Sequence, residues 1–260
     1  VDRPFFQRES DSLPEALRTL QWCERGTARS EYRPERETFF PDAEWWIARA
    51  GPADDAPVLA VKGGHNGESH NHNDCGSFVV HHRGESSLTD LGAGTYDRAY
   101  FGDGRYEALA ARSLGHSVPY VEGCEQVPGE EHAATVLDRT DTDDAASLTL
   151  ELADCYPSDA GLAGLERSFV LDRAEGTVTV TDEVRFDSDA DAPDFAGIFV
   201  SYQRIERRDD ALVLEGNRVR TRVGFDRSPG HVEVDPVEGD VGLGGGAARQ
   251  DAHVEALAQG

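Results

Sequence analysis

The residues able to do chemistry concentrate between positions 63 and 78, Gly63-Gly64-His65-Asn66-Gly67-Glu68-Ser69-His70-Asn71-His72-Asn73-Asp74-Cys75-Gly76-Ser77-Phe78. His65, His70 and His72 fall within eight residues, beside acids and small polar side chains. In an extended chain alternate side chains share a face, so an extended segment presents His70 and His72 together. Two imidazoles on one face are the start of a divalent metal site, which then needs donors from elsewhere. Asp90, on the returning strand of a hairpin, and His116, in Gly115-His116-Ser117-Val118-Pro119, are the candidates. A His72/Asp90/His116 set with an open position suits Zn2+, with Ca2+ or another divalent ion as second choice. Spacing alone leaves another reading open, because His-x-His pairs are common in proteins that bind no metal. His65, His81 and His82 fit hydrogen-bonded or surface roles, and Asp74 fits a turn cap as well as a metal contact.

The elements that must carry these residues read as short strands. Apolar or alternating runs occur at 45–49, 58–62, 78–82, 86–91, 146–152, 167–171, 176–182, 199–202, 211–214 and 218–223, separated by Asp- or Gly-rich turns. Phe78–His82 and Ser86–Leu91 flank Arg83-Gly84-Glu85 and read as a hairpin with a glycine turn. Many short strands with regular turn signals predict an antiparallel β-sandwich, and no βαβ alternation suggests a parallel sheet. Two helical patterns interrupt this texture. One spans residues 10–24, where Leu13, Leu17, Leu20 and Trp22 recur near helical spacing; the other is a short helix over residues 100–113. Residues 242–246 read as a glycine-rich turn or tail.

Composition narrows the functional classes. The 260 residues hold 50 acidic and 25 basic side chains, a net charge of −25, and Lys62 is the only lysine. A nucleic-acid binder needs a cationic footprint, so that class is excluded. A salt-adapted or high-GC source and an ordinary acidic protein both fit this balance. No run approaches the roughly 20 apolar residues of a membrane helix. The chain contains no methionine and begins without the apolar run of a signal peptide, so we expect a processed or truncated piece. Periplasmic, extracellular and cytoplasmic locations all stay open. Cys23, Cys75, Cys124 and Cys155 form no Cys-x-x-Cys pair, which argues against a cysteine zinc site and fits buried free thiols or a disulfide.

Three ordered blocks, His70-Asn71-His72-Asn73-Asp74-Cys75-Gly76-Ser77-Phe78, Leu88-Thr89-Asp90-Leu91-Gly92-Ala93-Gly94-Thr95-Tyr96 and Arg112-Ser113-Leu114-Gly115-His116-Ser117-Val118-Pro119, resemble the heparinase II/III-like C-terminal domain. Arg36-Glu37-Thr38-Phe39-Phe40-Pro41-Asp42 fits the same family. The resemblance is sharp over about residues 36–125 and general beyond. It implies a mainly β chain, an antiparallel β-sandwich over 36–260, preceded at 1–35 by a short helical remnant and linker of an (α/α) toroid. It further implies polysaccharide lyase activity, with the metal ligands carried over as His72, Asp90 and His116. His70 resembles the family histidine that faces substrate, and Tyr106 is similar in placement to a sandwich tyrosine near substrate in alginate-lyase relatives. A core aromatic is the plain alternative for Tyr106.

The resemblance implies β-elimination on an acidic polysaccharide or glycosaminoglycan-like substrate. That reaction needs the uronate carboxylate neutralised, a base for the C5 proton and an acid for the departing oxygen. His70 and Tyr106 are the expected catalytic residues, with Asn71 and Arg105 binding substrate. Arg112 is a further cation within reach of this region, and surface ion pairs are the plain alternative for both arginines. Because elimination needs no hydrolytic water, the zinc is expected to be structural. A net charge of −25 sits poorly with a polyanion unless the cleft is locally positive. A non-catalytic carbohydrate-binding module is an alternative, as is a cupin-type metalloprotein. The latter's opening pattern fits Gly64 through His72, but Gly76 and Ser77 stand where its glutamate belongs. The chain leaves room for a homodimer.

Overall fold

The structure, a computed structural model, describes residues 34–94, 98–102, 104–121, 123–187, 194–208 and 211–225, with 230–237 and 251–258 as strand backbone. The chain divides after Pro34. The expected helix at 10–24, all but the last two positions of the 1–35 helical remnant and linker, and the glycine-rich stretch at 242–246 lie outside the described residues.

The strands run, in chain order, β1 Glu37–Phe40, β2 Trp45–Arg49, β3 Val58–Lys62, β4 His65–Asn66, β5 Phe78–His82, β6 Glu85–Leu88, β7 Pro119–Val121, β8 Gly129–Ala133, β9 Thr135–Asp141, β10 Ala145–Glu151, β11 Leu162–Asp172, β12 Thr177–Phe186, β13 Phe195–Ser201, β14 Arg204–Arg207, β15 Ala211–Glu215, β16 Arg220–Gly224, β17 Gly230–Val237 and β18 Asp251–Ala258. One sheet has the order β1-β2-β3-β5-β6 and a second β12-β11-β10-β9; β17-β18-β13-β7, β14-β15-β16 and the pair β4-β8 complete the set. Every ladder between these strands is antiparallel.

Period-two patterning accounts for the packing. Trp46 and Ala48 on β2 and Leu59 and Val61 on β3 turn inward. Ala146, Leu148 and Leu150 on β10 and Leu165, Phe169 and Leu171 on β11 turn inward from the other sheet, and all join one core. The inward face of β11 carries one charge among these apolar residues, the fully buried Arg167. The hairpin turn is as expected: Arg83 and Gly84 both have positive φ, 52° and 80°, and pair His82 with Glu85.

The expected helix over 100–113 is instead three 3-10 turns, Arg105–Glu107, Leu109–Ala111 and Ser113–Gly115. An α-helix would consume the carbonyls of this segment internally. Here they serve tertiary bonds: Ala111 O accepts from Asn73 N, Gly115 O from Leu91 N and Ala110 O from His116 Nε2. A small second core of Leu91, Ala110, Ile198 and Val200 holds the segment against β13.

Candidate functional site

Strand alternation does not present the histidine segment. Residues 67–77 form turns rather than an extended run, and His70 has φ 58°, in the left-handed region. Asn71 N bonds back to Glu68 O at 3.2 Å, and the Asn71 amide donates to Asn66 O. This corrects the extended geometry expected for His70 and His72. His70 is exposed, edge-on to Phe101 with ring centroids 5.8 Å apart. His72 turns inward, its ring centroid 5.0 Å from that of His116.

The two segments bearing these rings are laced together by buried polar bonds. Asn73 N donates to Ala111 O at 3.0 Å and Ser113 Oγ donates to Asn73 O at 3.0 Å. Gln126 joins both: its backbone N donates to Ser113 Oγ, its Oε1 accepts from Cys75 N, and its Nε2 donates to Cys75 O. Gly115, just before His116, must be glycine because a Cβ there would collide with the Leu109 carbonyl oxygen. Arg167 closes the arrangement from the core side. Its Nη1 donates to Gly76 O at 3.1 Å and Ser117 O at 2.9 Å, and Asp182 holds the rest of the guanidinium.

Among the described residues, one donor atom each from His72, Asp74 and His116 lie within 4.8 Å of one another. His116 is fully buried, and its Nε2 faces the Ala110 carbonyl at 3.0 Å. A carbonyl only accepts, so Nε2 carries the proton and Nδ1 of the neutral ring carries the lone pair. That Nδ1 is buried without a hydrogen-bond partner. A carbonyl-oriented imidazole with its other nitrogen unpaired is how proteins present histidine to a metal. Burial, then the neighbouring His116, lower the His72 pKa to about 4, so this ring is neutral at pH 7 and has a lone pair to give. Two imidazoles and a carboxylate fit Zn2+ better than Ca2+, which takes six to eight oxygens.

The carboxylate in this tight group is Asp74, whereas the expectation named Asp90. Asp90 Oδ1 accepts the Gly92 N–H at 2.7 Å, and its charge still acts on His72. Asp74 Oδ1 is held by Lys62 Nζ at 2.6 Å.

The other expected residues gather on the same side. Tyr106 Oη donates to Asn71 Oδ1 at 3.3 Å, joining two of them directly. Arg105 lies over the Tyr100 ring, 5.5 Å from its centroid, and its charge acts on His72. Its Nε and Nη2 are buried and have no hydrogen-bond partner. Arg112 is committed elsewhere, to Glu125. His65 Nδ1 accepts from Gly67 N and His81 Nδ1 pairs with Ser86 Oγ, the local roles expected of them. Cys75 and Cys155 are buried free thiols, and Cys124 is half-buried.

Sequence reasoning did not find Tyr100, whose hydroxyl lies 2.8 Å from His72 Nε2. Nor did it find the clamp made by Arg167. No spacing signal marks the tyrosine. A lone arginine in the alternating run 165–171, at a core-facing position, was a signal for the clamp.

Solved structures share this architecture. The chain aligns with "Heparinase III-BT4657 gene product" at TM-score 0.68 and 16% identity, covering 94% of this chain and 36% of that one. It aligns with heparan sulfate lyase HepC from Pedobacter heparinus at TM-score 0.69 and 12% identity, covering 95% and 38%. The chain thus spans little more than a third of the length of these structures, and at such identity the likeness is one of fold. No curated protein matches the chain in sequence. No helix among the described residues is long and apolar enough to cross a membrane. Residues 33–226, most of the chain, match the family described as "Heparinase II/III-like, C-terminal". By that match, by its antiparallel sandwich and by the blocks around His72, Asp90 and His116, this chain belongs to the heparinase II/III-like C-terminal family.

Proposed function

We propose that this chain forms the sandwich wall of a lyase that cleaves uronate-containing polysaccharides by β-elimination. The observation that carries the reading is Arg105. A guanidinium with two buried, unpartnered nitrogens, in a protein of net charge −25, is prepared for an anion. A uronate carboxylate supplies one, and neutralising it makes the adjacent C5 proton removable.

The groups around Arg105 cover the remaining needs of the reaction. His70, on the exposed rim, and Tyr106, tethered to Asn71, are the proton-transfer candidates. The C5–H electron pair forms the C4–C5 double bond as the C4–oxygen bond breaks, and the leaving oxygen takes a proton from the acid. Asn71 orients Tyr106 through its Oδ1. His72 and His116, with Asp74 and Asp90 as the available carboxylates, would hold Zn2+. The ion would supply a fixed positive charge that ties the two loops together. Since elimination consumes no water, a metal-generated hydroxide has no role. The substrate class proposed is an acidic, glycosaminoglycan-like polysaccharide.

The test is an elimination assay on acidic polysaccharides with the natural gene product, reading the ultraviolet absorbance of the unsaturated uronate. Arg105→Ala is expected to lower kcat/KM about 10- to 100-fold, the equivalent of one charge-assisted pair worth roughly 1.5–3 kcal/mol. Products without the unsaturated uronate, or a variant as active as the parent, would rule out the assignment.

A further inference from the structure

The chain carries 25 basic residues, of which Lys62 alone is lysine. This single lysine is also buried, at 5% exposure, at the C-terminal end of β3. Its ammonium lies 2.6 Å from Asp74 Oδ1 and 3.6 Å from Glu68 Oε2. These two acids bracket His70-Asn71-His72, so one cation closes both ends of the segment that presents His72. Lys62 is also anchored as backbone: its N donates to Ser77 O and its O accepts from Gly76 N. A compact head with three donors can serve two carboxylates in this space, whereas the planar fork of arginine is larger and directional.

We propose that Lys62 is a built-in counter-ion of the metal site. Its ammonium balances Asp74 when no metal is bound and leaves that carboxylate a second oxygen for the ion. The proposal rests on the metal reading given above. Lys62 is a positioning residue here, acting on the ion only through Asp74. Two opposing effects follow from its removal. Asp74, its side chain 14% exposed, destabilises the metal-free protein when stripped of its partner, and a bound divalent cation restores the balance. Against this, lost positioning weakens the metal by roughly 10- to 100-fold, as for other groups that orient a ligand. The first effect is the larger, so the variant depends on metal more than the parent does.

The experiment compares thermal melting of the chain, metal-free and with added Zn2+, for wild type, Lys62→Met and the double variant Lys62→Met/Asp74→Asn. Metal-free Lys62→Met is expected to melt on the order of 10 °C lower than wild type. Zn2+ should raise its melting temperature by more than it raises that of wild type. The double variant should regain most of the metal-free stability and lose most of the zinc shift. An equal or smaller zinc shift in Lys62→Met, beside a clear shift in wild type, overturns the counter-ion and leaves the metal site standing. No zinc shift in wild type overturns both. If Lys62→Met folds only with zinc present, the proposal is upheld; if neither it nor the double variant folds in either condition, the proposal fails.

Discussion

Arg167→Met is expected to cost about 3–5 kcal/mol of folding stability, because it leaves the Asp182 carboxylate and two carbonyls without their donor. Arg167 is fully buried, lies between Leu165 and Phe169 on the inward face of β11, and is held by Asp182 through Nε at 2.6 Å and Nη2 at 2.9 Å. Its ring neighbours are Phe78 and Phe169, 6.0 and 5.9 Å from the guanidinium carbon. For a domain of this size the loss corresponds to a fall in Tm on the order of 10 °C. The effect should reach beyond stability. Nη1 holds Gly76 O, two residues after Asp74, and Ser117 O, next to His116. Relaxing both bonds lets the two histidine-bearing segments drift apart, so affinity at the proposed zinc site should fall roughly 10- to 100-fold as well. Chemical denaturation and zinc titration of the variant measure the two effects separately. A variant as stable as the parent, with unchanged zinc affinity, would show that the clamp is dispensable. The double variant Arg167→Met/Asp182→Asn should recover part of the stability, since no charge is then left buried alone.

His116→Ala should abolish tight metal binding. The side chain offers a buried Nδ1 lone pair whose orientation is set by Ala110 O, and no other imidazole among the described residues joins His72 and Asp74 in the tight group. Loss of a direct ligand exceeds the ~100-fold ceiling typical of groups behind the ligands. Zinc content after dialysis, measured for wild type, His72→Ala and His116→Ala, is the readout. Wild type should retain metal stoichiometrically and both variants should lose it. Asp74→Asn and Asp90→Asn, measured alongside, assign the carboxylate. The packing predicts the larger loss for Asp74→Asn, because Asp74 belongs to the tight group, whereas Asp90 already accepts from Gly92 N. Retention of zinc by both histidine variants would exclude a metal centre at this position.

Much of the scaffold was legible in the linear pattern. The alternation of β2, β3, β10 and β12, and the Arg83-Gly84 turn, follow from period-two burial and from the positive φ that a tight hairpin demands. Those are local rules, so a single sequence is enough to apply them. The pairing of His72 with His116, 44 positions apart, is a candidate on residue chemistry and becomes specific through family resemblance, since no local rule links such distant residues.

The departures share one cause. Propensity predicts a helix over residues 100–113, yet Ala110, Ala111 and the nearby Gly115 give their carbonyls to His116, Asn73 and Leu91, and the segment breaks into 3-10 turns. Strand alternation predicts His70 and His72 on one face, yet a left-handed His70 and the bond from Asn71 N to Glu68 O turn the segment. In both places hydrogen bonds that no repeat in the sequence announces outweigh a local preference worth only a fraction of a kcal/mol per residue. The types and order of the strands, the hairpin, the acidity and the solitary lysine were thus set by sequence alone. That Asp74 meets the two imidazoles, that Lys62 balances it, that Tyr100 touches His72 and that Arg167 ties the loops were decided by the tertiary structure. Burial turns a charge into an obligation to find a partner, and only the folded chain determines which partner is within reach.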